Sequence, residues 1–390
     1  MKKIELVLIP VLFAAVLVLS QSRSNYTADA FDRISVDVGQ APASVAVADV
    51  NHDGHPDILV LNTQSETLSV LLGDARGHFR QSAMKLAKTG KGPNDIAVGD
   101  FNGDGNLDIA IPNTGTPYIT ILLGDGKGGF TPSAHSPFAT SSHPHVHGVA
   151  AADFNSDGKL DLVTDSWGEN KILLFFGDGR GNLALPGHSF ATGKRPYQRL
   201  RSADFNKDGR PDVVTTDLDE NAVSILLNDG RGQFRDAPGS PFPAGGAPWA
   251  LAIDDLNKDS NPDLAVIPYD RDLHNAGELG VTVLLGDGKG GFRKMPGSPF
   301  SLDGCTGPDR VATGDVNGDG LRDIVVTCAQ NDTAMIFFGT SGGSFRRVVV
   351  SVPTGWSGLA VADLDGDGKD EIIVSNNHGS NITILRYRPK

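Results

Sequence analysis

The sequence has no long hydrophobic run beyond Leu19, no stretch of sustained helical periodicity and no excess of basic charge. Each absence removes a class of protein. Without roughly 20 consecutive apolar residues, the chain past its leader has no transmembrane helix. With 47 acidic against 34 basic side chains and a formal charge of -13, it does not offer the basic surface that nucleic acid demands. The missing 3.6-residue apolar period argues against a helical bundle. No nucleophile elbow, zinc-protease helix or phosphate loop is present. The glycine-rich turns at 124–129 and 286–291 recur as strand connectors and precede no helix, so they are turns. Cysteine is nearly absent. None follows the N-terminal apolar run, which argues against a lipoprotein anchor, and only Cys305 and Cys328 remain.

The first thirty residues read as an export signal, with mature chain from 31 to 390. Lys2 and Lys3 form a basic start, Leu6 to Leu19 an apolar core, and Ala28-Asp29-Ala30 a small-x-small cleavage site. An uncleaved anchor is the alternative. The expected location is secreted, periplasmic or at the cell surface.

What is abundant is one phrase: Asp-x-Asn/Asp-x-Asp-Gly-x-x-Asp. It begins at Asp49, Asp100, Asp153, Asp204, Asp255, Asp315 and Asp363. Calcium takes six to eight oxygen ligands in a flexible cage, and glycine at position 6 allows the sharp turn. Carboxylates or amides at positions 1, 3, 5 and 9 supply the side-chain oxygens, and the carbonyl at position 7 another. The first four sets are Asp49, Asn51, Asp53 and Asp57; Asp100, Asn102, Asp104 and Asp108; Asp153, Asn155, Asp157 and Asp161; and Asp204, Asn206, Asp208 and Asp212. The last three are Asp255, Asn257, Asp259 and Asp263; Asp315, Asn317, Asp319 and Asp323; and Asp363, Asp365, Asp367 and Glu371. Asp/Asn/Gly clusters are also ordinary turns, but seven copies in register favour metal. Up to seven structural Ca²⁺ would nearly neutralise the chain. Ser260 replaces the glycine in the fifth loop, which predicts the weakest site there. Strands, not helices, flank each loop.

The whole unit repeats about every 50 residues: an aliphatic run, the loop, a second strand, a third strand, a glycine turn and a more variable fourth strand. Four strands at this period define a β-propeller. The fold expected is all-β, a seven-bladed propeller of four-stranded antiparallel blades. The seventh unit ends at its third strand, and Phe31–Val38 has no other place. The N-terminal strand is therefore expected to complete the last blade and remove an exposed edge. This arrangement puts Cys305 and Cys328 at the same end of neighbouring strands, where they form a disulfide; two buried thiols are the alternative.

Phrase, spacing and copy number resemble the FG-GAP/VCBS repeat family, which includes the propeller of integrin alpha subunits, over roughly residues 31–390. Where the integrin pattern has Gly-Ala-Pro after the second strand, this chain has Leu-Asn-Thr at 61–63 or Ser-Asn-Asn at 375–377, closer to the bacterial VCBS form. The resemblance implies that calcium loops occupy one face as clips and that ligands are taken elsewhere. It does not carry integrin partners over.

Aligning the units on their first Asp isolates the exceptions. Three residues before it, six units have alanine and the fourth has Arg201. Five before it stand Asp95, Arg199 and Arg310 among small residues, and one before it the fifth unit has Asp254. Strand alternation puts these columns on one side, lining the channel or the blade junctions. An ion pair of Arg201 with Asp254 is one reading; a site for an anionic group such as a uronate carboxylate is the other. Six before the Asp, at the expected mouth, stand Asn94, His147, Gln198, Trp249 and Asp309, with Tyr197 and Trp356 near and Trp167, Tyr269, His274 and His378 on neighbouring turns. Aromatics beside amides and acids suit sugar. They are equally a polar rim. His143, His145 and His147 alternate as a zinc or copper site would, although Pro144 interrupts them. The expected function is a secreted, monomeric calcium-binding module for an extracellular glycan or protein. The alternatives are a polysaccharide lyase or related carbohydrate-active enzyme, and a purely structural cell-surface domain.

Overall fold

The structure, a computed structural model, describes residues 27–389 except 85, 143–144 and 270–278, and leaves out the side chains of 197 and 198. Seven antiparallel sheets follow one another around a ring. In blade one the strands run Pro42–Ala48, Asp57–Asn62, Thr67–Gly73 and Phe79–Gln81, from the axis outwards. The other blades repeat this order, and four of the seven add a two-residue strand beside the third. Helical structure among the described residues is limited to two 3-10 turns, Ala28–Ala30 and Trp167–Glu169. None of it is long and apolar enough to cross a membrane. Most of the expected leader lies outside the described residues; Ala30, at its end, is buried against the sixth blade.

The second strands are buried along their whole length in six blades, as in Asp57–Asn62 and Asp323–Cys328. Both their faces are covered by neighbouring blades, so they read as continuous aliphatic runs rather than alternating ones. The core is accordingly distributed over the junctions. Leu251, Leu264 and Val266 of blade five pack with Val214, Ile225 and Leu227 of blade four.

The ring closes as expected. Phe31–Asp37 pairs antiparallel with Asn381–Tyr387, from Phe31 opposite Tyr387 to Asp37 opposite Asn381. Cys305 and Cys328 are bonded, with Cα atoms 5.3 Å apart. Blade three departs from the pattern: its fourth strand is His188–Ala191 and does not open on phenylalanine.

Asn62, Asn113, Asp217 and Asn376 close the second strands of their blades, and Asp217 is the acid of this group. Asn62 donates to Ser69 Oγ at 3.0 Å and Asn113 to Thr120 Oγ1 at 2.9 Å, whereas Asp217 accepts from Ser224 Oγ at 2.6 Å. Burial, with Glu220 and Asp236 nearby, raises the Asp217 carboxyl from 3.8 to about 7. The folded chain therefore keeps a proton that the unfolded chain loses. This stabilisation is complete below 3.8 and is lost as pH rises to about 7. Asp217→Asn is expected to gain ~1–3 kcal/mol over the wild type above about pH 8 and nearly nothing near pH 4. Urea midpoints at the two pH values measure this; a variant equally or less stable at the higher pH would show that the acid carries no such cost.

Candidate functional site

Each Asp-rich loop joins an inner strand to the second strand and is pinned at two points. Position 2 is always apolar and buried: Val50, Phe101, Phe154, Phe205, Leu256, Val316 and Leu364. These residues drive the loop onto the core, and their N–H groups donate to the acid at position 9. Asp57 Oδ2 accepts from Val50 at 3.0 Å, and its Oδ1 accepts from Gly73, the end of the third strand, at 2.8 Å. Asp108, Asp161, Asp212, Asp263 and Asp323 repeat both bonds. Glu371, one methylene longer, keeps the bond to Leu364 at 2.8 Å. This second duty of position 9 escaped the sequence reading. The recurring glycine or asparagine ending the third strand was the available signal.

The acids at positions 1 and 5 accept N–H groups of the loop itself, and Asp157, Asp208 and Asp367 also pair with Lys159, Arg210 and Lys369. Asp49 accepts the N–H groups of Asp53 and Gly54, and Asn51 Oδ1 accepts that of Asp53. Ser260 adopts φ +64 where the other loops have glycine, and still donates to Asp255 at 2.8 Å. The fifth loop thus keeps its shape, with the strain of a side chain in the left-handed region. In the seventh loop one oxygen each of Asp363, Asp365 and Glu371 lie within 4.8 Å of one another. Hard oxygen donors at this spacing fit calcium. Charge agrees. Burial, reinforced by Asp319 and Asp315, pushes Asp323 up to about 8. Asp108, Asp161 and Asp212 rise to about 6 and Asp263 and Glu371 to about 7, with burial again the first cause. The five aspartates in this state lack a counter-charge that a divalent cation would supply, whereas Glu371 has Arg386 Nε at 3.5 Å.

Beyond the loops, Ser44, Asp95, Arg199, Ala250, Arg310 and Gly358 line a space of about 50 Å³ on the ring axis, together with Arg201. The column five residues before the loop acid does line the channel. The proposed pair of Arg201 with Asp254 is not formed. Arg201 Nη1 lies 2.9 Å from Asp95 Oδ2, two blades back across the axis, while Asp254 pairs with Arg322 at 3.2 Å in the next blade. Alternation placed Arg199 and Arg201 on the axis, but Asp254, at the loop end of the inner strand, pairs across the blade junction instead. Arg199 reaches Asp95 Oδ1 at 3.1 Å and is 4 % exposed. Arg310 bonds Asp309 at 2.6 Å. Three guanidinium groups thus share two carboxylates. Burial and the adjacent Arg310 pull Arg199 down to about 9, against Asp95, which leaves it charged at neutral pH. Burial alone would raise Asp95, but Arg201 and Arg199 hold it below the ordinary value. Arg199 Nε has no hydrogen-bond partner.

The mouth column is mostly covered. His147, Trp249 and Asp309 are buried, and they tie blades together. Asn94 donates to the His147 carbonyl at 3.2 Å, Trp249 Nε1 to Asp309 Oδ1 at 3.3 Å, and Ser357 N to Asp309 Oδ2 at 2.9 Å. The side chains of Tyr197 and Gln198, and His274 and His143 altogether, lie outside the described residues. Trp249 stacks on Tyr269 with centroids 4.1 Å apart and lies 6.3 Å from Trp356, which is 40 % exposed. His145 and His147 meet beside Trp167. Burial and the neighbouring His147 hold His145 below its ordinary value.

A closed ring of seven four-stranded blades, each with an Asp-rich loop after its inner strand, defines a seven-bladed repeat propeller. The chain belongs to the FG-GAP-like repeat family, whose pattern matches residues 49–111, 113–164, 204–266 and 315–374. It is similar to cartilage acidic protein 1 of Mus musculus, 27% identical over 185 residues, covering 46% of this chain and 28% of that protein. It is also similar to integrin alpha-IIb of Homo sapiens, 29% identical over 157 residues, covering 34% of this chain and 15% of the integrin subunit. The matched stretch thus spans little more than a quarter of these relatives at most. Among solved structures, BBS1N in its complex with ARL6DN superposes with a TM-score of 0.60 at 10% identity, covering 92% of this chain and 97% of that one. A streptogramin B lyase gives 0.54 at 14% identity, covering 91% and 97%. These likenesses show the fold alone.

Proposed function

We propose that the chain is an exported, calcium-stabilised binding module that takes an acidic ligand at the central channel of the ring. The observation that carries this reading is the channel itself, where Arg199, Arg201 and Arg310 face two carboxylates and Arg199 Nε has no partner. Arg201, with about a third of its side chain exposed, is the most accessible of the three guanidinium groups to an entering carboxylate. Trp356, beside the buried Trp249 that stacks on Tyr269, offers an exposed apolar face at the end of the ring away from the loops. An acidic glycan has a group for each, a carboxylate for arginine and a ring face for the indole; an acidic protein segment has only the first. Calcium would be held by the loop acids and would clip strands rather than touch the ligand.

A glycan array with calcium present tests the reading. Binding of uronate-containing oligosaccharides is expected, with a loss of about tenfold in Trp356→Ala and in Arg201→Ala. No bound glycan, or affinity unchanged in both variants, would remove the glycan reading. The same samples followed in the ultraviolet would reveal an unsaturated product if the chain were instead a lyase.

A further inference from the structure

In the third blade, His145 Nε2 lies 3.1 Å from His147 Nε2. His147 is 2 % exposed and fixed from behind. Its Nδ1 is 3.2 Å from Asp165 Oδ2, while Asp165 Oδ1 accepts the backbone N–H groups of His147 at 2.9 Å and Gly148 at 2.7 Å. Asp165 cannot swing away, and a carboxylate facing Nδ1 takes the proton there. The lone pair is thus left on Nε2, directed at His145. His145 is half-buried and is the more accessible ring of the two. Trp167 walls it, with its ring 6.0 Å from His145 and 6.1 Å from His147.

The rest of the ring shows that this acid is not needed for the fold. The residue matching Asp165 in blade six is Thr327, whose hydroxyl accepts the Arg310 N–H at 3.2 Å. In blade seven it is Ser375, which accepts the Gly358 N–H at 2.6 Å. One hydroxyl oxygen suffices to hold the inner strand. The carboxylate adds a second oxygen, and that oxygen meets an imidazole that those two blades lack.

We propose that His145 and His147 bind a transition-metal ion, Zn²⁺ or Cu²⁺, through their Nε2 atoms, with Asp165 as the positioning residue behind His147. Two imidazoles on one tetrahedral ion, with bonds of 2.0–2.1 Å, stand about 3.3 Å apart, so the pair needs to open only slightly. Imidazole nitrogens select zinc and copper over calcium, which keeps this site chemically separate from the oxygen-lined loops. An acid behind a metal-bound imidazole is a recurrent device that orients the ring and raises its basicity. The other coordination positions are left to water or to a donor from a ligand.

The test uses the untagged chain saturated with calcium, so that the loops are filled, and titrates Zn²⁺ or Cu²⁺ against a chromophoric chelator. One equivalent is expected to bind, and Cu²⁺ is expected to quench Trp167 fluorescence. His145→Ala should abolish both without moving the melting temperature of the metal-free protein. Asp165→Ser, which keeps the hydroxyl used in blade seven, should weaken binding about 10–100-fold and change its pH dependence. No stoichiometric binding, or binding as tight in His145→Ala as in the wild type, would overturn the site; the 3.1 Å contact would then be a hydrogen bond between imidazoles.

Discussion

A chain lacking residues 31–37 is expected to melt on the order of 10 °C below the intact protein, or to aggregate when expressed. The deleted strand is the outer strand of the seventh blade, paired along its whole length with Asn381–Tyr387. Its loss exposes the edge of that third strand, a template for pairing with other chains. It also removes Phe31, which is 5 % exposed and packs edge-on against Tyr387 with centroids 5.4 Å apart. Ile34 and Val36 leave the junction that they share with Ile382, Ile384 and Val45. Apolar burial of this extent is worth roughly 5 kcal/mol. Because the strand joins the start of the chain to its end, the cost falls on the closure of the ring as well as on one blade. Thermal unfolding followed by circular dichroism measures it. An unchanged melting temperature would show that the ring is held shut without this strand.

Chelating calcium is expected to have an effect at least as large. Each loop that binds calcium in the folded chain alone adds about 2.7 kcal/mol at a hundred times its dissociation constant. Several filled loops should therefore raise the melting temperature by roughly 15 °C or more over the chelated protein. Magnesium should restore little of this, because it demands octahedral geometry and gives up its water reluctantly. The fifth loop should fill last, since Ser260 holds φ +64. Ser260→Gly should tighten that site by a few-fold, a relief of about 1 kcal/mol or less. Calorimetric titration resolves the order of filling. Identical melting in chelator and in calcium would remove the metal from the account, and a fifth site as tight as the rest would remove the strain argument.

Much of this was legible in the chain. The nine-residue phrase fixed the number of blades, because a loop joining two strands must recur once per blade. The orphan strand at Phe31 announced the closure, because the seventh unit stops one strand short. The cysteine pairing followed from the same repeat, and Cys305 and Cys328 are bonded. These are properties of periodicity, which a sequence carries by itself. The apolar residue at position 2 was equally visible in Val50, Phe101 and Leu364, but as an unconstrained letter; its burial explains why it never varies to polar.

Contacts between units were not legible. Alignment placed Arg201 beside its exceptional neighbours and suggested Asp254 in the next blade. Across a closed ring, residues two blades apart face each other over the axis, so Arg201 meets Asp95 while Asp254 turns out to Arg322. The mouth column read equally as ligand contacts or as a polar rim; Trp249 and Asp309 are covered and clamp three blades together. Asp165 carries no signal of its own beside the seven loops, because its meaning depends on an imidazole that reaches it only when the inner strand folds against the second. The sequence by itself determined how many units there are and how each is built, since those follow from local repetition. The tertiary structure alone decided which charges meet and which side chains stay exposed, since a ring brings together residues at separations that no period records.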